Sequence, residues 1–294
     1  MYDLTLYSQI VWTSLANSSY QVLFAVAFAL VLKVLGIWNF TQPALMAISF
    51  YCMYAAIETF HMPPILAMSL ALIVTVVFAY ALERWAFATL RGRNSGPIAF
   101  FIFTIIVSQF VIYILTLIFT AEPRFLLGNM TWASHQMFGV FVTNWDLGAM
   151  SLTVALVFAL YLFLTHTRYG QFMIAVADNA ELAETYGISK SRCYLLTMVI
   201  AAFLINTSIF LLGSKIALYP ELSLHMMLFA VAATIIGGIG HVFGAAFAAV
   251  AIVLIQQLSV LFVGSRWQPL LIFLILFVTI IFFPSGVRIR GAKS

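Results

Sequence analysis

Between Ile98 and Thr120 the chain runs for 23 residues without one charged side chain. About 20 residues of helix cross the roughly 30 Å hydrocarbon core of a bilayer. The run is one of several, Leu66–Leu82 being equally free of charge. A soluble helix of that length needs a polar face for water, and these runs have none. A transmembrane barrel alternates apolar and polar residues along each strand, and these runs are continuous. Composition agrees: 7% of residues are charged and 64% hydrophobic, against roughly 25% charged in soluble domains. The solvent of this fold is lipid.

Charged and turn-rich breaks divide the chain into about nine spans. They lie near 14–36, 43–58, 64–82, 98–119, 147–164, 195–212, 222–240, 245–263 and 269–284. The run at 43–58 is short, and only Gly-rich sequence separates 222–240 from 245–263, so eight to ten spans are expected, with a broken or re-entrant helix at either place. The fold class is an all-α polytopic bundle, a single domain over 1–294. Alternating the loops puts Lys33, Arg84, Arg91, Arg93, Arg168, Lys190, Arg192, Arg288, Arg290 and Lys293 on one side, and Arg124, Lys215 and Arg266 on the other. Ten cations against three mark the first side as cytoplasmic. The N-terminus is then outside and the C-terminus inside. Asp3, and the lack of Lys or Arg before the first apolar run, argue against a cleavable signal. Cations at the ends of apolar runs are not a nucleic-acid patch. Cys52 and Cys193 are expected to stay unpaired, and no paired Cys/His spacing suggests a metal.

The longest inner loop, about 165–194, mixes charges of both signs. Within it Asp178 and Glu181, three apart, read as a capping box at a helix start. Ala180, Leu182, Ala183 and Glu184 are good helix formers, and Gly187 is a left-handed terminator. The spacing predicts a cytoplasmic helix over about 178–187. Ala180, Ala183 and Gly187 share one face, small enough for close approach of a partner. The bland alternative is a surface helix joining two spans.

The stretch Arg168-Tyr169-Gly170-Gln171, then Ala175-Val176-Ala177-Asp178-Asn179-Ala180-Glu181-Leu182-Ala183, then Tyr186-Gly187-Ile188, resembles the permease subunits of the branched-chain amino acid ABC importer family. Leu35-Gly36-Ile37-Trp38-Asn39-Phe40, the Gly-rich Gly237–Ala245 and the terminal Phe283-Pro284-Ser285-Gly286 resemble three further landmarks of that family, in the expected order across nearly the whole chain. The resemblance implies pairing with a second related permease or a copy of itself, two cytoplasmic ATPase subunits, and a periplasmic solute-binding protein. It makes the 178–187 helix, with Asp178, Asn179, Ala180, Glu181, Leu182, Ala183 and Gly187, the ATPase contact. Two departures bear on the substrate. Thr41-Gln42-Pro43-Ala44 stands where the family has a small residue, His and Gly, and alanines follow Gly244 in place of further glycines. Related systems carry urea, short amides and other amino acids.

A phosphate loop needs a Gly-Lys pair, and the sequence contains none. ATP and Mg are therefore expected on partner subunits and no cofactor on this chain. Gly238-x-Gly240 follows no strand, so dinucleotide binding is disfavoured. Gly240 and Gly244 instead form a G-x-x-x-G pair, suited to close helix packing or, with Gly237 and Gly238, to a helix break. Asn17, Gln21, Ser108, Gln109, Asn206, Ser208, Gln256 and Gln257 lie within spans and are candidates to line a path; the alternative is interhelical hydrogen bonding. No charge is expected near mid-bilayer, which weighs against ion coupling. Lys215, Glu221 and His225 read as an outer-loop group facing a binding protein or plain solvent. No catalytic constellation is found. The expectation is a non-enzymatic permease of an ATP-driven importer in a bacterial inner membrane, carrying a branched-chain or other amino acid. A urea or amide permease and a passive facilitator are the alternatives.

Overall fold

A computed structural model of the chain describes residues 2–128, 132–137, 139–264 and 267–282. Arg266, the three C-terminal cations and the Phe283–Gly286 landmark lie outside the described residues.

Helices stand where each apolar run was read. They are α1 (Tyr2–Leu35), α2 (Gln42–Glu58), α3 (Pro64–Ala81), α5 (Pro97–Phe119), α6 (Asn144–His166), α9 (Lys190–Gly213), α10 (Leu222–Ile236), α11 (Val242–Val263) and α12 (Gln268–Phe282). A π-helical turn, Leu82–Phe87, carries α3 into the short α4 (Ala88–Gly92). Six helices are long and apolar enough to cross a membrane: α1, α3 with its continuation to Gly92, α5, α6, α9 and α11. The other three are shorter. Two more helices lie in the 165–194 stretch: α7 (Arg168–Asp178) and α8 (Ala180–Thr185).

α1 is the axis of the bundle. It packs against α6, α7, α9, α10 and α11, and 89% of its apolar window is buried, against 22% for α5 and for α6. The outer helices turn Ile73, Ile106, Phe110, Phe158 and Phe247 outward; in lipid such exposure costs nothing. With 34 residues α1 is about 51 Å long, well beyond a bilayer core, and it starts before the expected residue 14. Its surplus holds a structure missing from the all-helical expectation. β1 (Ser134–Met137) and β2 (Val140–Thr143) form an antiparallel hairpin. Gln9 accepts from the Phe141 N–H at 2.7 Å and donates to the Phe141 carbonyl at 3.2 Å. Gln9, near the N-terminal end of α1, thus pairs with one residue on the hairpin's edge.

The described cations sort to the two ends of the bundle. Arg91 lies 4.6 Å over the Tyr194 ring, joining the end of α4 to the start of α9. At the opposite end Arg124 pairs backbone to backbone with Leu218 and donates to the Tyr54 hydroxyl at 2.7 Å, a bond that raises the guanidinium pKa above its ordinary value. Lys215 pairs there with Asp146. The Trp132 and Trp145 rings lie at that end with centroids 4.2 Å apart, tilted by 30°. Cys52 and Cys193 are both free thiols.

Candidate functional site

The stretch read as one helix in a loop is two helices. Thr167 caps α7 by accepting from the Gly170 N–H at 3.1 Å. Met173 and Val176 then bury one face while Tyr169 and Phe172 remain exposed. α7 runs through Asp178, so Asp178 ends one helix rather than starting the next. The cap of α8 is Asn179, whose side chain accepts from the Leu182 N–H at 2.9 Å; an amide serves there as well as a carboxylate. Gly187, at φ +81°, closes α8. Its N–H reaches the Glu184 carbonyl at 2.9 Å and the Ile188 N–H reaches the Ala183 carbonyl at 3.1 Å, the paired bonds of a Schellman motif.

The small-residue face of α8 points the other way from the one expected. Ala183 is buried and Ala180 half-buried against the chain's own α7 and α9. Glu181, Leu182, Glu184, Thr185 and Tyr186 are the exposed residues. Glu184 forms a 2.8 Å ion pair with Lys190, the first residue of α9. Beside α8 a groove of about 370 Å³ is lined by Tyr169, Phe172, Ile188, Arg192 and Leu196 among others. The basic end thus carries a capped, tethered helix with an acidic and aromatic outer face.

α10 ends at Ile236 and α11 begins at Val242. Gly238 and Gly240 take positive φ in the turn between them. The close approach is made by Gly237 and Gly244, not by the Gly240–Gly244 pair. A Cβ on Gly237 would stand 2.3 Å from the Gly244 carbonyl carbon, while around Gly240 there is open space.

The in-span amides separate into three environments. Asn206 is fully buried; it accepts from Ser49 at 2.9 Å and donates to the Met68 carbonyl at 3.3 Å, stitching α9 to α2 and α3. Gln109 is exposed on the outer face of α5 beside Phe110. Asn17 and Gln21 are half-buried on α1, and Gln256 and Gln257 half-buried on α11. These two helices pack together. Gln21 lies 14 residues from the basic end of α1 and Gln256 14 residues from that of α11, so both sit about 21 Å from that end. No side-chain hydrogen bond engages any of these four amides among the described residues.

Three features escaped the sequence reading. Lys215 joins neither Glu221 nor His225; it pairs with buried Asp146, which also accepts from the Tyr20 hydroxyl at 2.8 Å. Glu83, buried in the π-turn, pairs with Arg91. Gln42 is fully buried with no partner for either amide atom among the described residues. An acid and a base far apart in sequence, or an amide in an apolar run, carry no local signal of what they meet.

Residues 10–280 match the family model described as the permease component of the branched-chain amino acid transport system. The chain belongs to this family. It is a transport permease subunit. It is similar to the high-affinity branched-chain amino acid transport system permease protein BraD of Pseudomonas aeruginosa, at 26% identity over 96% of this chain and 95% of that protein. It is similar also to LivH of Escherichia coli K12, at 23% identity over 90% of each, and to a probable LivH of Methanocaldococcus jannaschii, at 20% identity over 92% and 89%. Among solved structures, PsaBC from Streptococcus pneumoniae in complex with Fab contains a chain of the same fold. The TM-score is 0.52, with 13% identity over 92% of this chain and 91% of that one.

Proposed function

We propose that this permease is the membrane-spanning subunit of an ATP-driven importer for a branched-chain or other amino acid. It sits in a bacterial inner membrane with about nine spans, eight to ten, the N-terminus outside and the C-terminus in the cytoplasm. It pairs with a second homologous permease or a copy of itself. Two ATPase subunits, which hold ATP and Mg, dock below, and a periplasmic binding protein delivers solute above. The ten-to-three cation asymmetry supports this orientation, and the relatives' names support the solute class.

The observation that carries the reading is α8. A helix of six residues has little stability of its own. This one is capped at both ends, tied to α9 by Glu184–Lys190, and offers Glu181, Leu182 and Tyr186 outward at the basic end. A partner that seats on this face and moves would pull on α7 and α9, against which α8 packs. The bundle then alternates access along a path for which the half-buried amides of α1 and α11 are the candidates.

The test is uptake into proteoliposomes containing the whole complex. Glu181→Arg and Leu182→Arg are expected to lower ATP-driven uptake at least tenfold and to release the ATPase on purification, with membrane insertion unchanged. Full uptake by both variants would sink the coupling role. Ala183 is the wrong probe, because it is buried in the chain itself and its replacement would unseat α8 first.

A further inference from the structure

The connection from α1 to α2 does not stay at the membrane surface. Trp38 lies 6.1 Å from Phe28, seven residues back from the end of α1. The Trp38 carbonyl meets the Thr104 hydroxyl at 3.5 Å, and Asn39 meets the Met198 sulfur at 3.5 Å. Thr104 and Met198 lie seven and eight residues into α5 and α9, both of which start at the basic end. That is about 10–12 Å into the bundle. Gln42, the first residue of α2, therefore stands at membrane depth rather than at an interface.

Irregular backbone is tolerated at such depth only where protein covers it or where it lines a path. Here it is covered, yet its hydrogen bonding is incomplete. Asn39 accepts from the Thr41 N–H at 3.0 Å, and Thr41 makes no side-chain cap. Gln42 is 0% exposed, and neither its Oε1 nor its Nε2 has a partner. Among the described residues it is the one neutral side chain with two such atoms. One turn beyond Thr104 on the same buried face of α5, the Ser108 hydroxyl is also unpartnered. Buried polar groups are almost always hydrogen-bonded, and exceptions ask for an explanation. The positive end of a 17-residue helix lies at the same point.

We propose that the N-terminus of α2, with the Gln42 amide standing in it, is the subsite that receives the carboxylate of the transported amino acid while the solute is occluded. The helix end favours the negative charge, Gln42 Nε2 donates to a carboxylate oxygen, and Oε1 accepts from the neighbouring ammonium. A neutral amide group holds both charges of the solute without binding either irreversibly. Release follows the connecting segment toward the basic end. There Gly36 is exposed at φ +67°, with open space where a Cβ would stand. The proposal rests on the amino-acid importer reading above.

The test uses the intact complex in proteoliposomes, with labelled leucine, alanine and glutamate supplied together with the loaded binding protein, and with urea as the neutral probe. Gln42→Leu keeps the volume and removes the unpartnered atoms. The expected result is a fall in amino-acid uptake of tenfold or more in a complex that still purifies with its ATPase. Uptake by Gln42→Leu less than tenfold below the parent overturns the subsite, since an amide with no ligand is better replaced by an apolar group. Should Gln42→Leu not assemble, Gln42→Met is measured in its place under the same thresholds, and failure of both to assemble makes the amide structural and overturns the subsite as well. A parent complex that takes up urea and none of the three amino acids overturns the amino-acid reading itself, an outcome separable from failure at Gln42.

Discussion

Gly170 and Asn206 illustrate how differently two polar or small residues can matter in the same bundle. A Cβ on Gly170 would stand 2.1 Å from the Phe163 carbonyl oxygen, which is rigid backbone of α6. Gly170→Ala is therefore expected to lift α7 from α6 and to cost about 1–3 kcal/mol, the range for overpacking a well-packed site. Asn206 makes two interhelical hydrogen bonds, each worth about 0.6 kcal/mol in a membrane protein. Asn206→Leu is expected to cost roughly 1 kcal/mol. Thermal unfolding of the purified variants in detergent ranks the two, and a larger loss for Asn206→Leu would contradict the packing argument.

The π-turn and α8 are the two short elements at the basic end, and each is held by an ion pair of different worth. Glu83 is 1% exposed and pairs with Arg91, whose other face covers Tyr194. Removing the cation leaves a buried carboxylate uncompensated, so Arg91→Ala is expected to cost about 3 kcal/mol, whereas replacing both partners by Leu restores much of it. Lys190 and Glu184 are each about half exposed. Such a pair contributes roughly 0–1 kcal/mol, so Lys190→Ala is expected to leave the unfolding midpoint nearly unchanged. Thermal unfolding of the four proteins, parent included, decides both points.

At the scale of the whole molecule the bundle is built around α1, with apolar faces on α3, α5, α6, α11 and α12 turned outward. Half-buried amides of α1 and α11 lie at one level, while the groove at the basic end lies beside α8. In the proposed assembly a second permease chain completes the path. Native mass spectrometry of the purified complex is expected to count two permease chains with two ATPase chains. A complex with a single permease chain would refute that assembly.

Much of this was legible in the order of residues. Continuous uncharged runs of 17 or more residues are helices in lipid, so the long helices, apart from the early start of α1, followed from charged and turn-rich breaks. The terminator Gly187 was legible because a left-handed turn is a local event. The α7 helix was legible in principle from Thr167 followed by Phe172, Met173 and Val176 at helical spacing, but its charges disguised it as loop. Direction in space was not legible. Whether Ala183 faces a partner or its own bundle depends on how α8 lies on α7 and α9. Whether Asn206 is satisfied depends on Ser49, 157 residues away in sequence. Whether Gln42 lacks a partner depends on how deep the α1–α2 connection sinks between α5 and α9. A continuous apolar run fixes that a segment enters the membrane; which of its few polar atoms find partners is set by packing between helices distant in sequence.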